Sequence, residues 1–206
     1  MNLINFCTVL IIEILASSSH KLFMIMLGAT PAGRHIEQHD IFFGIGTSLK
    51  DLAGDMKAFW PEPERIHIDA WREVTVVENY RIAVVPKDQP ANPDAVGKKL
   101  FFINLGGYQE NKFEEQHYVL LTVKDDRAAA FREAKETLFY RQNSFGPAGN
   151  SHIDDKYGVD VDDLYEIEDI LAPALKEKYR IELNAVSGEK EDELHLGYVK
   201  MSTLEK

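Results

Sequence analysis

The chain has 206 residues, 45% of them hydrophobic, with 34 Asp and Glu against 23 Lys and Arg and a formal net charge of -11 at pH 7. That is enough apolar material for a sizeable core, while the acidic balance, unrelieved by any cluster of Lys/Arg interleaved with aromatics, repels phosphate backbones and anionic lipid surfaces. Nucleic acid and membrane surfaces are thereby excluded as expected partners, and the single Cys7 excludes a disulfide framework or a Cys-based metal site within one chain.

In chain order, residues 1–20 read as an N-terminal extension or mis-called start. The apolar run from Phe6 to Ala16 has no Lys or Arg before it, is broken by Glu13, and is too short to span a bilayer. A weak signal peptide is the alternative, with export in place of the cytoplasmic location that the lone cysteine suggests. Residues 22–27 are apolar on both faces, as in a covered central strand, and Gly28 to Gly33 reads as the turn that follows. Residues 38–46 form the next strand, and Glu37, His39, Ile41, Phe43 and Ile45 share one face of it. Thr47 and Ser48 can cap a helix to Phe59, with Leu49, Leu52, Ala53, Met56 and Phe59 at helical spacing and Pro61 as its stop. Two further strands, 66–76 and 80–85, join through Glu78-Asn79.

After a linker at 87–98 the plan recurs. Strands are expected at 100–105 and 116–123 and a helix at 126–141, followed by the segment His152-Ile153-Asp154. An added helix then begins at Asp162 or Asp163, with Leu164, Ile167, Ile170 and Leu171 as its stripe, and a last strand starts near Tyr179. The tail, 185–206, is polar apart from 194–199, which could add an edge strand. The recurrence is visible in the letters: KLFMIMLGATPAGRHIEQHD at 21–40 returns as KLFFINLGGYQENKFEEQHY at 99–118, an offset of 78 without a gap. His67-Ile68-Asp69 matches His152-Ile153-Asp154 at an offset of 85, and Tyr80-Arg81-Ile82 matches Tyr179-Arg180-Ile181 at 99. The expected fold is α+β: two tandem ββαββ repeats, 21–86 and 99–184, about a pseudo-two-fold axis, with mostly antiparallel sheets and helices on one face.

Two constellations could carry chemistry. Glu37 with His39, and Glu115 with His117, place a carboxylate and an imidazole two residues apart on one strand face, where one can orient the other or both can meet a metal. His67 with Asp69, and His152 with Asp154, repeat the pairing used by general bases and metal ligands. Were the two constellations of one repeat to converge, each half would offer two His, one Glu and one Asp, enough for Zn²⁺, Mn²⁺ or Fe²⁺. The plainer reading of each pair is structural, a His held at the rim of the core by its carboxylate. The acidic residues from Asp154 to Asp169 lack the spacing of a calcium loop and read as helix capping and solvation. Gly28 to Arg34 and Gly106-Gly107-Tyr108 lack the features of nucleotide loops and read as tight turns. There is no G-x-S-x-G, and no cysteine in the repeats to act as a nucleophile.

The blocks LFMIMLGATPAGRHIEQHDIFFGIG, SLKDLAGDMKAFWP, HIDAWREV, KLFFINLGGY, FEEQHY and SHIDDKYGVDVDDLYEIEDIL, in this order over residues 21–179, resemble the bacterial proteins grouped as domain-of-unknown-function family 1543, whose domain occurs in one or two copies. The resemblance implies a small bacterial, cytoplasmic protein whose relatives begin near Lys21; it brings no activity and no catalytic residues. The leading functional expectation is a non-enzymatic module that binds a small ligand or a protein in the groove between the repeats. The alternative is a metal-dependent, hydrolase-like enzyme using the Glu/His and His/Asp pairs, and the third is a self-associating assembly component. No cofactor is identified; a divalent metal is the one candidate the residues suggest.

Overall fold

The computed structural model describes residues 20–62, 65–108, 113–136 and 159–205. It is an α+β fold of antiparallel sheets with short helices. The first sheet has β1 (Lys21–Ala29) at its centre, hydrogen-bonded on one side to β2 (Gln38–Gly46) and on the other to β3 (His67–Val74). The expected C-terminal edge strand exists as β10 (His195–Lys200), which pairs with β3 and completes the order β10-β3-β1-β2. The second sheet places β6 (Lys99–Tyr108) between β7 (Glu115–Lys124) and β8 (Val159–Glu166). β1 thus has the central place its two-faced apolar pattern calls for. Leu22 and Met24 turn one way, while Phe23, Ile25 and Leu27 turn the other, into a cluster with Leu52 and Met56.

Between β2 and β3 lies a 3-10 turn (Lys50–Leu52) leading into helix α1 (Ala53–Phe59). The expected Thr47-Ser48 cap operates in reverse. The Asp51 carboxylate reaches back to accept from both backbone N–H groups and from the Thr47 hydroxyl, and these bonds hold its carboxyl below the usual carboxylate range. Helix α2 (Arg127–Glu136) covers the second sheet, where Ala130 and Ala134 pack on Phe101, Ile103 and Leu105. The outer faces of the two sheets therefore carry separate helix-covered cores. Leu22, Phe43 and Ile45 of the first sheet meet Leu100, Phe102 and Val123 of the second in a shared central core.

A third, small sheet joins the halves: β4 (Val76–Val77), β5 (Tyr80–Pro86) and β9 (Tyr179–Ala185). Shifting β5 forward and β9 back by 99 positions maps their ladder onto itself, so that Tyr80 opposite Ala185 becomes Tyr179 opposite Pro86. Its two ends are closed alike, Lys87 N–H donating to the Lys178 carbonyl (2.9 Å) and Val186 N–H to that of Asn79 (2.8 Å). Glu78, at a φ of 55° in the β4–β5 turn, accepts from the Thr122 hydroxyl and from Lys124 on β7.

Two expectations are corrected here. Residues 162–166 are strand, not the start of a helix. Val159-Asp160-Val161 alternates as a strand does, the segment pairs with β6, and helix follows only in two short pieces, α3 (Ile167–Ile170) and α4 (Pro173–Lys178). Gly28, Gly106 and Gly107 lie inside β1 and β6, not in turns. The last described helix is α5 (Met201–Leu204). Among the described residues no helix is long and apolar enough to cross a membrane.

Candidate functional site: two His–carboxylate clusters on an inter-sheet cleft

The middle strand of the first sheet has a gap in its side chains at Gly28, directly opposite His39 on β2 and His67 on β3. One step along, β3 bulges. Ala70 pairs with Met26 and Ile68 with Leu27, leaving Asp69 as the extra residue. A bulge re-aims a side chain, and here the Asp69 carboxylate comes over Gly28 beside His67. A methyl group at position 28 would stand 2.5 Å from His67 Nε2 and closer still to Asp69 Oδ2, so the absent side chain is what makes room for both.

Four groups converge in that space. His67 Nε2 lies 3.0 Å from Glu37 Oε1 and 3.3 Å from Asp69 Oδ1. His39 Nε2 lies 3.2 Å from Asp69 Oδ2 and 3.8 Å from Glu37 Oε2. Each imidazole thus faces both carboxylates. The His67 side chain is only 10% exposed and that of His39 44%, and the Tyr198 ring covers His67 at a centroid distance of 4.4 Å. Asp69 Oδ2 is buried and makes no hydrogen bond despite its closeness to His39.

The second sheet repeats the arrangement with a different donor set. Gly106 faces His117 on β7 and Asp160 on β8, and the bulge, at Asn104/Leu105, leaves Asp162 as the extra residue. A methyl at Gly106 would meet Glu115 Oε1 and Asp162 Cγ at 2.8 Å, and Asp162 Oδ2 closer still. His117 lies 3.8 Å from Glu115 and 3.5 Å from Asp162. Ligand atoms of Glu115, His117 and Asp162 all fall within 4.8 Å of one another.

The register therefore sets Asp160-Val161-Asp162 in the place of His67-Ile68-Asp69, so the match drawn from the letters to His152-Ile153-Asp154 is not the one the sheet uses. His152 and Asp154 lie outside the described residues. Asp162 and the two glycines are the site residues that sequence reading missed. A glycine inside an apolar strand at the same offset as the Glu-x-His pair was the available signal.

Both clusters border a cleft of about 850 Å³ between the sheets, lined by Met26, His39 and Ile41 from one side and Phe102, Asn104 and His117 from the other. Tyr165 on β8 also faces it, donating from its hydroxyl to Asp163 (3.0 Å). That bond, the charge of Asp163, burial and the charge of Asp40 raise the phenol above its ordinary value. A separate cavity of about 780 Å³ lies by α1 and β10, with Lys57, Trp60, Arg65 and Tyr198 in its wall.

The fold and site define an α+β protein whose two like sheets each carry a Gly-cradled His–carboxylate cluster at a shared cleft. Residues 34–84, which span β2 to β5 and hold the whole His39–Glu37–His67–Asp69 cluster, match the family model Domain of Unknown Function (DUF1543). The matched segment is shorter than the span from Lys21 to Tyr179 over which the letters resemble it. The crystal structure of a protein Il1583 from Idiomarina loihiensis has a similar fold, with a TM-score of 0.56 and 20% sequence identity over 88% of this chain and 97% of that one. No curated protein matches the chain.

Proposed function

We propose that the protein is a binding module for a small ligand, built from two ββαββ copies about a pseudo-two-fold axis that runs through the β5–β9 ladder, and that the ligand sits in the cleft between the first and second sheets. The self-matching ladder, the matching placement of β2-β1-β3 and β7-β6-β8 in the two sheets, and the common bulge position support the duplication. The observation that carries the function is the cleft itself. Its volume, about 850 Å³, falls in the range of small-molecule sites, roughly 300–1,000 Å³. Most of its exposed wall area is apolar, with His39, His117, Asn104, Tyr165, Asp40 and Asp163 as the polar groups that would orient a guest. A protein partner would need a larger and flatter face.

The test is a fragment screen by NMR on the full chain with isotope-labelled histidine and tyrosine. Binding in the cleft moves the His39, His117 and Tyr165 signals together. Fragments that gather instead at Trp60 and Tyr198, or that shift residues of one sheet alone, would rule the reading out.

A further inference from the structure

We infer that the two His–carboxylate clusters are divalent-metal sites of unequal character: Glu37, His39, His67 and Asp69 hold Zn²⁺ or an ion of its class, while Glu115, His117 and Asp162 hold a harder ion such as Mn²⁺. This stands apart from the cleft reading and does not depend on any guest being found there.

Geometry argues first. Nitrogen and oxygen ligands sit about 2.0–2.2 Å from Zn²⁺ at tetrahedral angles, which places neighbouring ligand atoms roughly 3.3–3.6 Å apart. In the first cluster each imidazole Nε2 lies 3.0 to 3.8 Å from the nearer oxygen of each carboxylate. These separations use both oxygens of each carboxylate, one toward each imidazole, so the four donors surround a common space and a cation there would draw a single oxygen of each carboxylate toward it.

Three further features fit a cation. Asp69 Oδ2 is buried and makes no hydrogen bond, although His39 Nε2 stands 3.2 Å away, and a buried oxygen left so costs free energy unless a positive charge meets it. Gly28 leaves empty the one position from which a side chain would fill the space. His67 is fixed by burial and by the Tyr198 ring, as a ligand held by its surroundings is.

The inequality follows from the register. Where the first sheet has His67 opposite Gly28, the second has Asp160 opposite Gly106. One nitrogen is thereby exchanged for an oxygen-bearing residue type, and the described donors of the second cluster are one imidazole and two carboxylates. Imidazole-rich sets suit Zn²⁺, Cu²⁺ and Ni²⁺, whereas carboxylate-rich sets suit Mg²⁺, Ca²⁺ and Mn²⁺. Two sites on one template have diverged in ligand hardness.

The experiment uses the full chain, stripped with chelator and dialysed, and titrates it with ZnSO₄ alone by calorimetry and with MnCl₂ alone by electron paramagnetic resonance. One tight equivalent of Zn²⁺ is expected, weakened about tenfold or more by His39→Ala and left in place by Asp162→Asn. One equivalent of Mn²⁺ is expected with the opposite dependence. His39 is half-exposed, so its variant should fold; Glu37→Gln, also exposed, provides a second test of the same site, with circular dichroism as the check on both. The exposed His35→Ala controls for binding by surface imidazoles. Absence of saturable Zn²⁺ binding, Zn²⁺ affinity unchanged in both first-cluster variants, or equal losses for both ions in every variant would each overturn the proposal.

Discussion

Replacing Gly28 by alanine tests the central geometric claim, that an absent side chain makes the first cluster possible. The new methyl would press on His67 Nε2 at 2.5 Å and more closely on Asp69 Oδ2. Both are side-chain ends, so β1 need not shift; the cost is the eviction of two groups from where they sit. His67 is 8% exposed and would lose its contact with Glu37. Overpacking of this kind costs roughly 1–3 kcal/mol, and alanine recovers about 0.5–1 kcal/mol over glycine in a strand interior. A net loss of about 1–2 kcal/mol remains, or a fall of about 2–8 °C in Tm for a chain of this size. Thermal unfolding by circular dichroism reads the loss, and the imidazole signals of His39 and His67 read the displacement. Gly54 on α1 has open space where its Cβ would go, so Gly54→Ala should raise stability by about 0.5–1 kcal/mol. In a His67→Ala background Gly28→Ala should cost measurably less, the coupling expected of groups in contact. A Gly28→Ala protein as stable as the parent, with both imidazole signals unmoved, would refute the steric account.

Two other outcomes follow from the same structure. Glu182, 7% exposed, accepts from Arg180 Nε at 2.7 Å and from Asn92 N–H at 3.2 Å; Glu182→Ala leaves the arginine without its carboxylate, held only by the Pro86 and Gln89 carbonyls, and should cost about 3 kcal/mol in urea unfolding, a loss below about 1 kcal/mol contradicting it. Tyr165 has its phenol raised chiefly by the bond to Asp163, so this contribution to stability is present at neutral pH and disappears as pH rises through the folded-state value. Asp163→Asn should move the tyrosinate absorbance titration to lower pH, and superimposable curves would show that the bond does not matter in solution.

Much of the fold was legible because period and composition agree locally. β1, β2, α1, β6 and β7 follow from apolar alternation and helical spacing, and so does the sharing of one face by Glu37 and His39. What the letters could not supply was register. Whether His67 and Asp69 meet Glu37 and His39 depends on which residue of β3 lies opposite Gly28, and a one-residue slip would send them to the other face. The same gap explains the misplaced match at His152. Three identical letters outweighed Asp160-Val161-Asp162, which is less similar but stands at the equivalent rung. The misread helix at 162–166 arose from Leu164, Ile167, Ile170 and Leu171, whose spacing fits a helix although Leu164 belongs to β8 and Leu171 follows α3. Sheet pairing overrode a stripe that spans two elements.

The seam between β5 and β9 also has a schedule. On the ribosome β5 is complete about a hundred residues before its partner strand is made, which at roughly 5–20 residues per second is an interval of about 5–20 s. Throughout it the first sheet can assemble without the second, but β5 waits with one edge unpaired. Because that edge pairs by a self-matching register, the β5 of a neighbouring nascent chain meets it in the register that β9 uses, with Pro86 in the place of Ala185 opposite Tyr80. Crowded synthesis on one message therefore sets dimer against monomer at this strand, and the tether of residues 87–178, which keeps β9 on the same chain as β5, is what tips the contest.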